Sequence, residues 1–259
     1  MVQENLSVRQ ACKLVSLPRS AMTYKKVSRD DSSLIDALNA MVEKHPSIGF
    51  WKCYYRLRRK GHDCNHKRLY RVYTMLKLNI RRKPKRRIPD RVKVPLLIPE
   101  EINKTWSMDF MSDSLVDGRR FRLLNVMDDY NRESLAIEVD TSLPTQRVIR
   151  VLDRLVAYRG KPESIRMDNG PEFISEKLKV WCEERGIRLL FIQPGKPVQN
   201  AFIERKNGSM RKELLDAYLF FTLDEVRMLA EQWRMDYNHE RPHAALGLYR
   251  RQNLFNPFP

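Results

Sequence analysis

The stretch NAFIERKNGSMRK, residues 200–212, sets one carboxylate, Glu204, among Arg205, Lys206, Arg211 and Lys212. A solvated helix face of mixed charge would account for it. So would a metal ligand beside a bound polyanion, and two other carboxylates bear on the choice. Asp109 falls within the alternating run KTWSMDFMSD, where a carboxylate among aromatics is costly unless something compensates it. Asp168 ends the segment ESIRMDNG, and strand ends in an α/β sheet are where ligands usually bind.

The elements that must position these three are readable from periodicity. In KTWSMDFMSD, Trp106, Met108 and Phe110 take one side and Ser107, Asp109 and Met111 the other, as in a strand. FRLLNVMDDYN follows the turn signal Asp117-Gly118, and SLAIEVD follows that, giving three strands in meander order. TQRVIRVLDRLVAYRG is a helix with Val148, Val151, Leu152, Leu155 and Val156 inside and Gly160 as its stop. ESIRMDNG is a short strand, SEKLKVWCEERGI a helix and RLLFIQP a strand; the Glu204 segment begins the next helix. The order βββ-α-β-α-β-α predicts an α/β fold, a mixed sheet with flanking helices. On the last helix Asn200, Asn207, Gly208 and Arg211 are expected to share the face of Glu204, with Ile203, Met210 and Leu214 as the apolar stripe on another.

Composition bounds the rest. The 259 residues are 42% hydrophobic, enough for at least one core. The start MVQENLSVRQACKLV has no basic run followed by an apolar one, and no stretch reaches the roughly 20 apolar residues that span a bilayer. No membrane association and a cytoplasmic location are expected. The cysteines at 12, 53, 64 and 182 contain no CxxC pair, so neither a disulfide framework nor a zinc ribbon is indicated. The local set Cys53, His62, Cys64 and His66 fits no zinc-ligand spacing.

A net charge of +17 points to a polyanionic partner, and its distribution is more telling. Residues 1–100 carry 24 Lys and Arg against 8 Asp and Glu; residues 101–259 carry 25 against 24. Within the basic front, residues 1–30 read as two short helices around Ser16-Leu17-Pro18, the layout of a helix-turn-helix. Residues 31–80 read as three helices: one with Leu34, Ile35, Leu38, Met41 and Val42 inside, one over FWKCYYRLRRKG, and one capped by Asn65 with Leu69, Val72, Met75 and Leu76 inside. Tyr54, Tyr55, Tyr70 and Tyr73 are expected to pack rather than stack on bases. The one-sided basicity of Arg56, Arg59, Lys67, Arg68 and Arg71 favours phosphate contact. Residues 81–100, with four prolines and the run containing Lys85, Arg86 and Arg87, read as a basic linker lying along DNA.

At this point the sequence resembles a known group. Fifty-eight residues separate Asp109 from Asp168 and 35 separate Asp168 from Glu204, with Arg211 seven beyond. That pattern is similar to the DDE polynucleotidyl transferases, which include retroviral integrases and DDE transposases. TWSMDF, DNGPEF, GKPVQNAFIERKNG and YNHERPHAALG resemble, in order, the signatures of the second reading-frame product of the insertion-sequence-three family. The resemblance implies an RNase H-like, mixed five-stranded catalytic core over residues 101–259 in which Asp109, Asp168 and Glu204 hold two divalent ions. Hard, oxygen-only donors suit Mg²⁺ or Mn²⁺. It implies a transposase that cuts and joins double-stranded DNA at terminal inverted repeats, works as a homo-oligomer and is fused to or associated with an upstream reading-frame product. Asn200, Lys206, Asn207, Gly208, Arg211 and Lys212 would then lie along DNA, Gly208 letting the backbone approach and Arg211 holding a phosphate.

Several competing assignments are weighed on their chemistry. Glu172 is a nearby alternative to Asp168, and Asp128 and Asp129 also end a strand, where a supporting polar role is expected. HERPH, residues 239–243, matches the zinc-protease pattern HExxH, but Pro242 disfavours helix at Arg241 and removes a donor. Asn238, Arg241 and His243 are left as DNA contacts or helix caps. An RNase H-like nuclease that does not join strands, and a non-catalytic DNA-binding regulator, are the two other functional readings.

Overall fold

The computed structural model describes residues 7–25, 30–80, 98–193 and 197–242. Residues 81–97, with Lys85, Arg86 and Arg87, lie outside them, as does His243.

The front is helical, as its 3.6-residue periodicity requires. Helix α1 (Val8–Leu14) opens with Ser7 and Gln10 in a reciprocal capping box, and α2 (Arg19–Met22) follows after Pro18. The two-helix layout matches the sequence expectation, but α2 has only four residues, about 6 Å of helix. A DNA-reading role does not follow from so short a segment. Helices α3 (Ser32–Lys44), α4 (Phe50–Arg59) and α5 (His66–Met75) pack around Leu34, Leu38, Met41, Cys53, Leu57, Leu69, Val72 and Tyr73. Asn65 caps α5 as its sequence predicts, accepting from Lys67 N at 3.0 Å. One packing expectation is corrected: Met75 is exposed, because Tyr73 fills the inward position of α5, while Tyr70, half exposed, packs edge-on against Phe50. Cys53 and Cys64 belong to this apolar cluster, and burial pushes the Cys53 thiol up to about 11.

The back is built on β1 (Thr105–Ser114), β2 (Arg120–Asp128), β3 (Ser134–Asp140), β4 (Ser164–Met167) and β5 (Arg188–Phe191). They form one mixed sheet in the order β3-β2-β1-β4-β5. The two hairpin-connected pairs are antiparallel, and the two pairs reached through helices are parallel. The alternation in β1 places Trp106 and Met108 on the face covered by α6 (Thr145–Arg159) and α7 (Glu176–Glu184). Met111 goes to the other face, under α8 (Ala201–Met210), a π-helical turn (Arg211–Leu215) and α9 (Leu223–Met235). This is the expected mixed five-stranded sheet with flanking helices.

Helix α9 was not among the predicted elements, although its start carries a cap signal: Thr222 accepts from Glu225 N at 3.2 Å. It closes the second face through Val226, Ala230 and Trp233. Among the described residues no helix is long and apolar enough to cross a membrane.

Candidate active site

The β1–β4 pairing runs towards two of the three carboxylates. Strands β1 and β4 pair Thr105 with Ser164 and Ser107 with Arg166, and Asp109 and Asp168 continue that offset two residues further along each chain. On the other side of β1, Asp109 is paired with Asn125 of β2. Neighbouring strands lie about 4.8 Å apart, so Asp109 and Asn125 stand side by side on one face, and Asp168 follows the last residue of β4 close enough for its charge to act on Asp109. Helix α8 packs over β1 and β2 on that face and carries Glu204.

Local hydrogen bonds fix the two aspartates. Asp109 Oδ1 accepts from Phe110 N at 2.8 Å, and Oδ2 accepts from Asn207 Nδ2 at 2.7 Å. Asp168 Oδ1 accepts from Gly170 N at 3.0 Å, closing the Asp168-Asn169-Gly170 turn. A Cβ on Gly170 would lie 3.0 Å from that same oxygen, so a larger residue there would press on the Asp168 carboxylate. Glu204, by contrast, is exposed and makes no hydrogen bond or ion pair among the described residues.

Burial pushes the Asp109 carboxyl up to about 6; the nearby charges of Asp168 and Glu204 add to the shift, and the bonds from Phe110 N and Asn207 oppose it. Burial also raises Glu204. A buried carboxylate with two like charges acting on it favours either a proton or a cation. The all-oxygen donor set of the three fits a hard divalent ion. Among the described residues no three acidic, histidine or cysteine side chains already converge on a point.

The Asp109 shift has a defined sign. Its folded pKa lies above the unfolded value, so the metal-free native state holds an extra proton between about pH 4 and 6. The stability tied to that proton is present below this window and is lost as pH rises through it. In EDTA, melting of wild type compared with Asp109→Asn should show wild type losing ground from pH 4 to 7. A constant difference across that range would refute the shift.

The basic and polar residues expected beside Glu204 divide into two groups. Lys206 and Asn207 turn inward with Ile203 and Met210, whereas Glu204, Arg205 and Gly208 are exposed. Asn207, expected on the face of Glu204, is buried and donates to Asp109. Lys206 is 1% exposed, with Nζ on Asn125 Oδ1 at 3.0 Å, and so does not line an outer surface. Burial pulls its pKa well down, opposed by the charge of Asp109. Asn200 is buried at the start of α8, and its Oδ1 has no hydrogen-bond partner among the described residues. Arg211 donates to Asp113 Oδ2 and Ser112 O, both at 2.7 Å, while Lys212 is exposed.

In the front, Lys67 is exposed and Arg71 is exposed but paired with Asp31. Arg68 bonds Asp31 and Asp30 O, and Arg59 donates to Glu240 O at 3.1 Å. Arg56 is buried, bonding Asp236 and His45. The phosphate-contact expectation therefore loses Arg56, whose guanidinium is committed within the chain.

Gly208 sits on exposed helix, with no atom within 4 Å of an added Cβ. Gly208→Ala should therefore stabilise the fold by about 0.5–1 kcal/mol. If the missing side chain serves DNA approach, strand joining falls in the same variant. A variant that is more stable and fully active would remove Gly208 from the site.

The alternatives resolve on contacts. Glu172 is ion-paired with Arg122 through Oε1, a hydrogen bond that holds its carboxyl low. Asp129 is fully buried between Ser107 Oγ and Arg166. Asp128 accepts from Asn103 N and Tyr130 N, both at 2.9 Å. Both brace the loop after β2. Arg241 is extended, at φ −75° and ψ 125°, so HERPH is not one helix. Asn238 accepts from Ser134 N at 2.9 Å and donates to Ser134 O at 3.0 Å, tying α9's end to β3. Arg241 bonds Glu213. Asn125 is the one site residue that periodicity reasoning passed over, though it is a lone amide inside the apolar run FRLLNVMDD.

Residues 99–197 match the integrase core domain family, and residues 185–249 match a second integrase core domain family. The chain is 40% identical to the 31.7 kDa protein of insertion element IS407 from Burkholderia multivorans, over 93% of this chain and 88% of that one. It is 24% identical to the transposase InsD of insertion element IS2 from Escherichia coli, over 84% and 76%. Its fold is similar to that of a chain in the intasome of simian T-cell lymphotropic virus, with a TM-score of 0.52 at 18% identity, covering 79% and 73%. With its integrase-like, RNase H-like core and this extent of identity, the chain belongs to the insertion-element transposases.

Proposed function

We propose that Asp109, Asp168 and Glu204 are the catalytic carboxylates of a DNA-nicking and DNA-joining polynucleotidyl transferase, holding two Mg²⁺ or Mn²⁺ ions. What supports this reading is Asp109 in β1 beside Asp168, which follows the parallel strand β4, with Glu204 on α8 near enough for both charges to act on Asp109. When bound, such ions lower the barrier to in-line displacement at phosphorus by stabilising the attacking and leaving oxygens. The chain's own residues do the positioning. Phe110 N and Asn207 orient Asp109, Gly170 N orients Asp168, and Arg211 is held at the C-terminal end of α8 by Asp113. Exposed Lys212, Arg205 and Lys67 supply cationic surface for phosphates. Double-stranded DNA, as element ends and target, is the substrate of this reading. A homo-oligomer, with an upstream reading-frame product fused or associated, is the acting form.

The test is nicking and strand joining on duplex DNA carrying the element's terminal repeats, with Mg²⁺, Mn²⁺ or EDTA. Divalent-dependent nicking followed by joined product is expected. Nicking without joining would favour a hydrolytic nuclease, and DNA binding with neither reaction, in the presence of the upstream product, would favour a regulator.

A further inference from the structure

Lys206 is the group that the proposed chemistry leaves unused. It is almost fully buried, and among the described residues no carboxylate lies within ion-pair distance of its Nζ. Instead Nζ donates to Asn125 Oδ1 at 3.0 Å. Asn125, fully buried, donates through Nδ2 to Asn207 Oδ1 at 2.9 Å. Asn207 donates through Nδ2 to Asp109 Oδ2 at 2.7 Å. Four side chains from α8, β2 and β1 thus form one directed chain from a buried amine to a candidate catalytic carboxylate.

The direction of that chain has a physical cause. A carboxylate accepts and cannot donate, a primary amide does one of each on its two sides, and a lysine amine donates in either protonation state. Between such ends only one flip of each asparagine satisfies every bond. The reversed sense would turn an amide oxygen against the carboxylate. Each Asp109 oxygen spends one lone pair on a bond within the chain and keeps a second for an ion.

We propose that Lys206 is a positioning residue for Asp109, acting through Asn125 and Asn207 to hold the carboxylate in one orientation for a metal ion. This rests on the assignment of Asp109 as a metal ligand. It differs from a purely structural role in a measurable way. A buried amine facing only an amide is a poor source of stability, so its replacement by an apolar side chain of similar length relieves desolvation. A positioning group, by contrast, is missed at the site. Outer residues that orient metal ligands typically change affinity 10–100-fold when removed.

The experiment uses the full chain without DNA and titrates Mn²⁺ alone, by calorimetry or electron paramagnetic resonance, alongside thermal melting. Lys206→Met should bind Mn²⁺ about 10-fold or more weakly than wild type, with a melting temperature equal or higher. Asn125→Leu should weaken Mn²⁺ to a similar extent. The double variant should be no weaker than either single one, because links in series are broken only once. Wild-type affinity in a folded Lys206→Met variant overturns the relay while leaving the metal assignment standing. No Mn²⁺ binding by wild type overturns the metal assignment itself, and this proposal with it. If Lys206→Met fails to fold, the metal-independent need for Lys206 contradicts the expected stability, and Asn125→Leu with unchanged Mn²⁺ affinity overturns the relay independently.

Discussion

Glu204→Gln should lower nicking and joining by on the order of 10³-fold or more, equivalent to about 4 kcal/mol of transition-state stabilisation. The reason lies in what the substitution leaves intact. Glu204 is exposed on α8 and makes no hydrogen bond or ion pair among the described residues, so nothing in the fold depends on its charge. A carboxamide of the same size keeps the helix and removes only the anionic donor that a hard divalent ion needs. Thermal stability should stay within about 0.5 kcal/mol of wild type, as for surface substitutions generally. Affinity for DNA should be equal or higher, because one negative charge has left a surface shared with Arg205 and Lys212. Asp109→Asn is a less clean probe of the same site, since both Asp109 oxygens accept internal bonds and an amide can replace only one of them. The readout is single-turnover nicking and joining in Mg²⁺ and in Mn²⁺, with DNA binding measured in parallel. Joining by Glu204→Gln at the wild-type rate would remove Glu204 from the chemistry and return it to the solvated helix face from which the question began.

How much of this was legible in the sequence depends on which force fixed each part. The period of two in TWSMDF placed Trp106 and Met108 in one core and Asp109 on the opposite face, since a strand offers no third option. The cap at Asn65 and the helix stop at Gly160, with φ 87°, followed from local backbone chemistry. The buried cations did not. Ile203, Lys206, Asn207 and Met210 stand at i, i+3, i+4 and i+7, which is the inward stripe of a helix. Residue type hid that stripe, because a lysine and an asparagine are expected outside. What makes them tolerable inside is Asn125, which reaches the same point from a strand some 80 residues earlier and is invisible to any local pattern. Arg56 was misplaced for the same reason: its partner Asp236 lies 180 residues away.

Arg56→Met should be the most destabilising single substitution among the basic residues of the front, costing about 3–5 kcal/mol. Arg56 is 7% exposed and donates two bonds to Asp236, NH1 to Oδ1 at 3.0 Å and NH2 to Oδ2 at 2.6 Å. A third contact joins NH1 and His45 Nε2 at 2.7 Å. Around it, Lys52 pairs with Glu213 at 3.4 Å, Arg241 bonds the same Glu213, and Arg59 reaches the backbone at Glu240. These contacts fasten α4 to the end of α9 and to the π-helical turn after α8, so the helical front is seated on the catalytic core through charge as well as shape. Removing Arg56 leaves Asp236 half-desolvated without its bidentate partner, which is the costly way to break an ion pair. Asp236→Asn combined with Arg56→Met should recover part of the loss, because the stranded charge is then gone. His45 adds a pH dependence to the same contact. Burial, then Arg56, hold its pKa below the ordinary value, against Asp236, so its neutral form is the one the seat accommodates. The contribution of His45 is fully present above about pH 6.5 and is lost as pH falls towards its lowered folded value. Urea unfolding of wild type, Arg56→Met and the double variant at pH 7.5, followed by limited proteolysis between front and core, measures the seat directly. An Arg56→Met chain as stable as wild type would mean that the bidentate pair does not hold the front on the core. Arg56 would then be restored to the phosphate-contacting face that its sequence neighbours suggest.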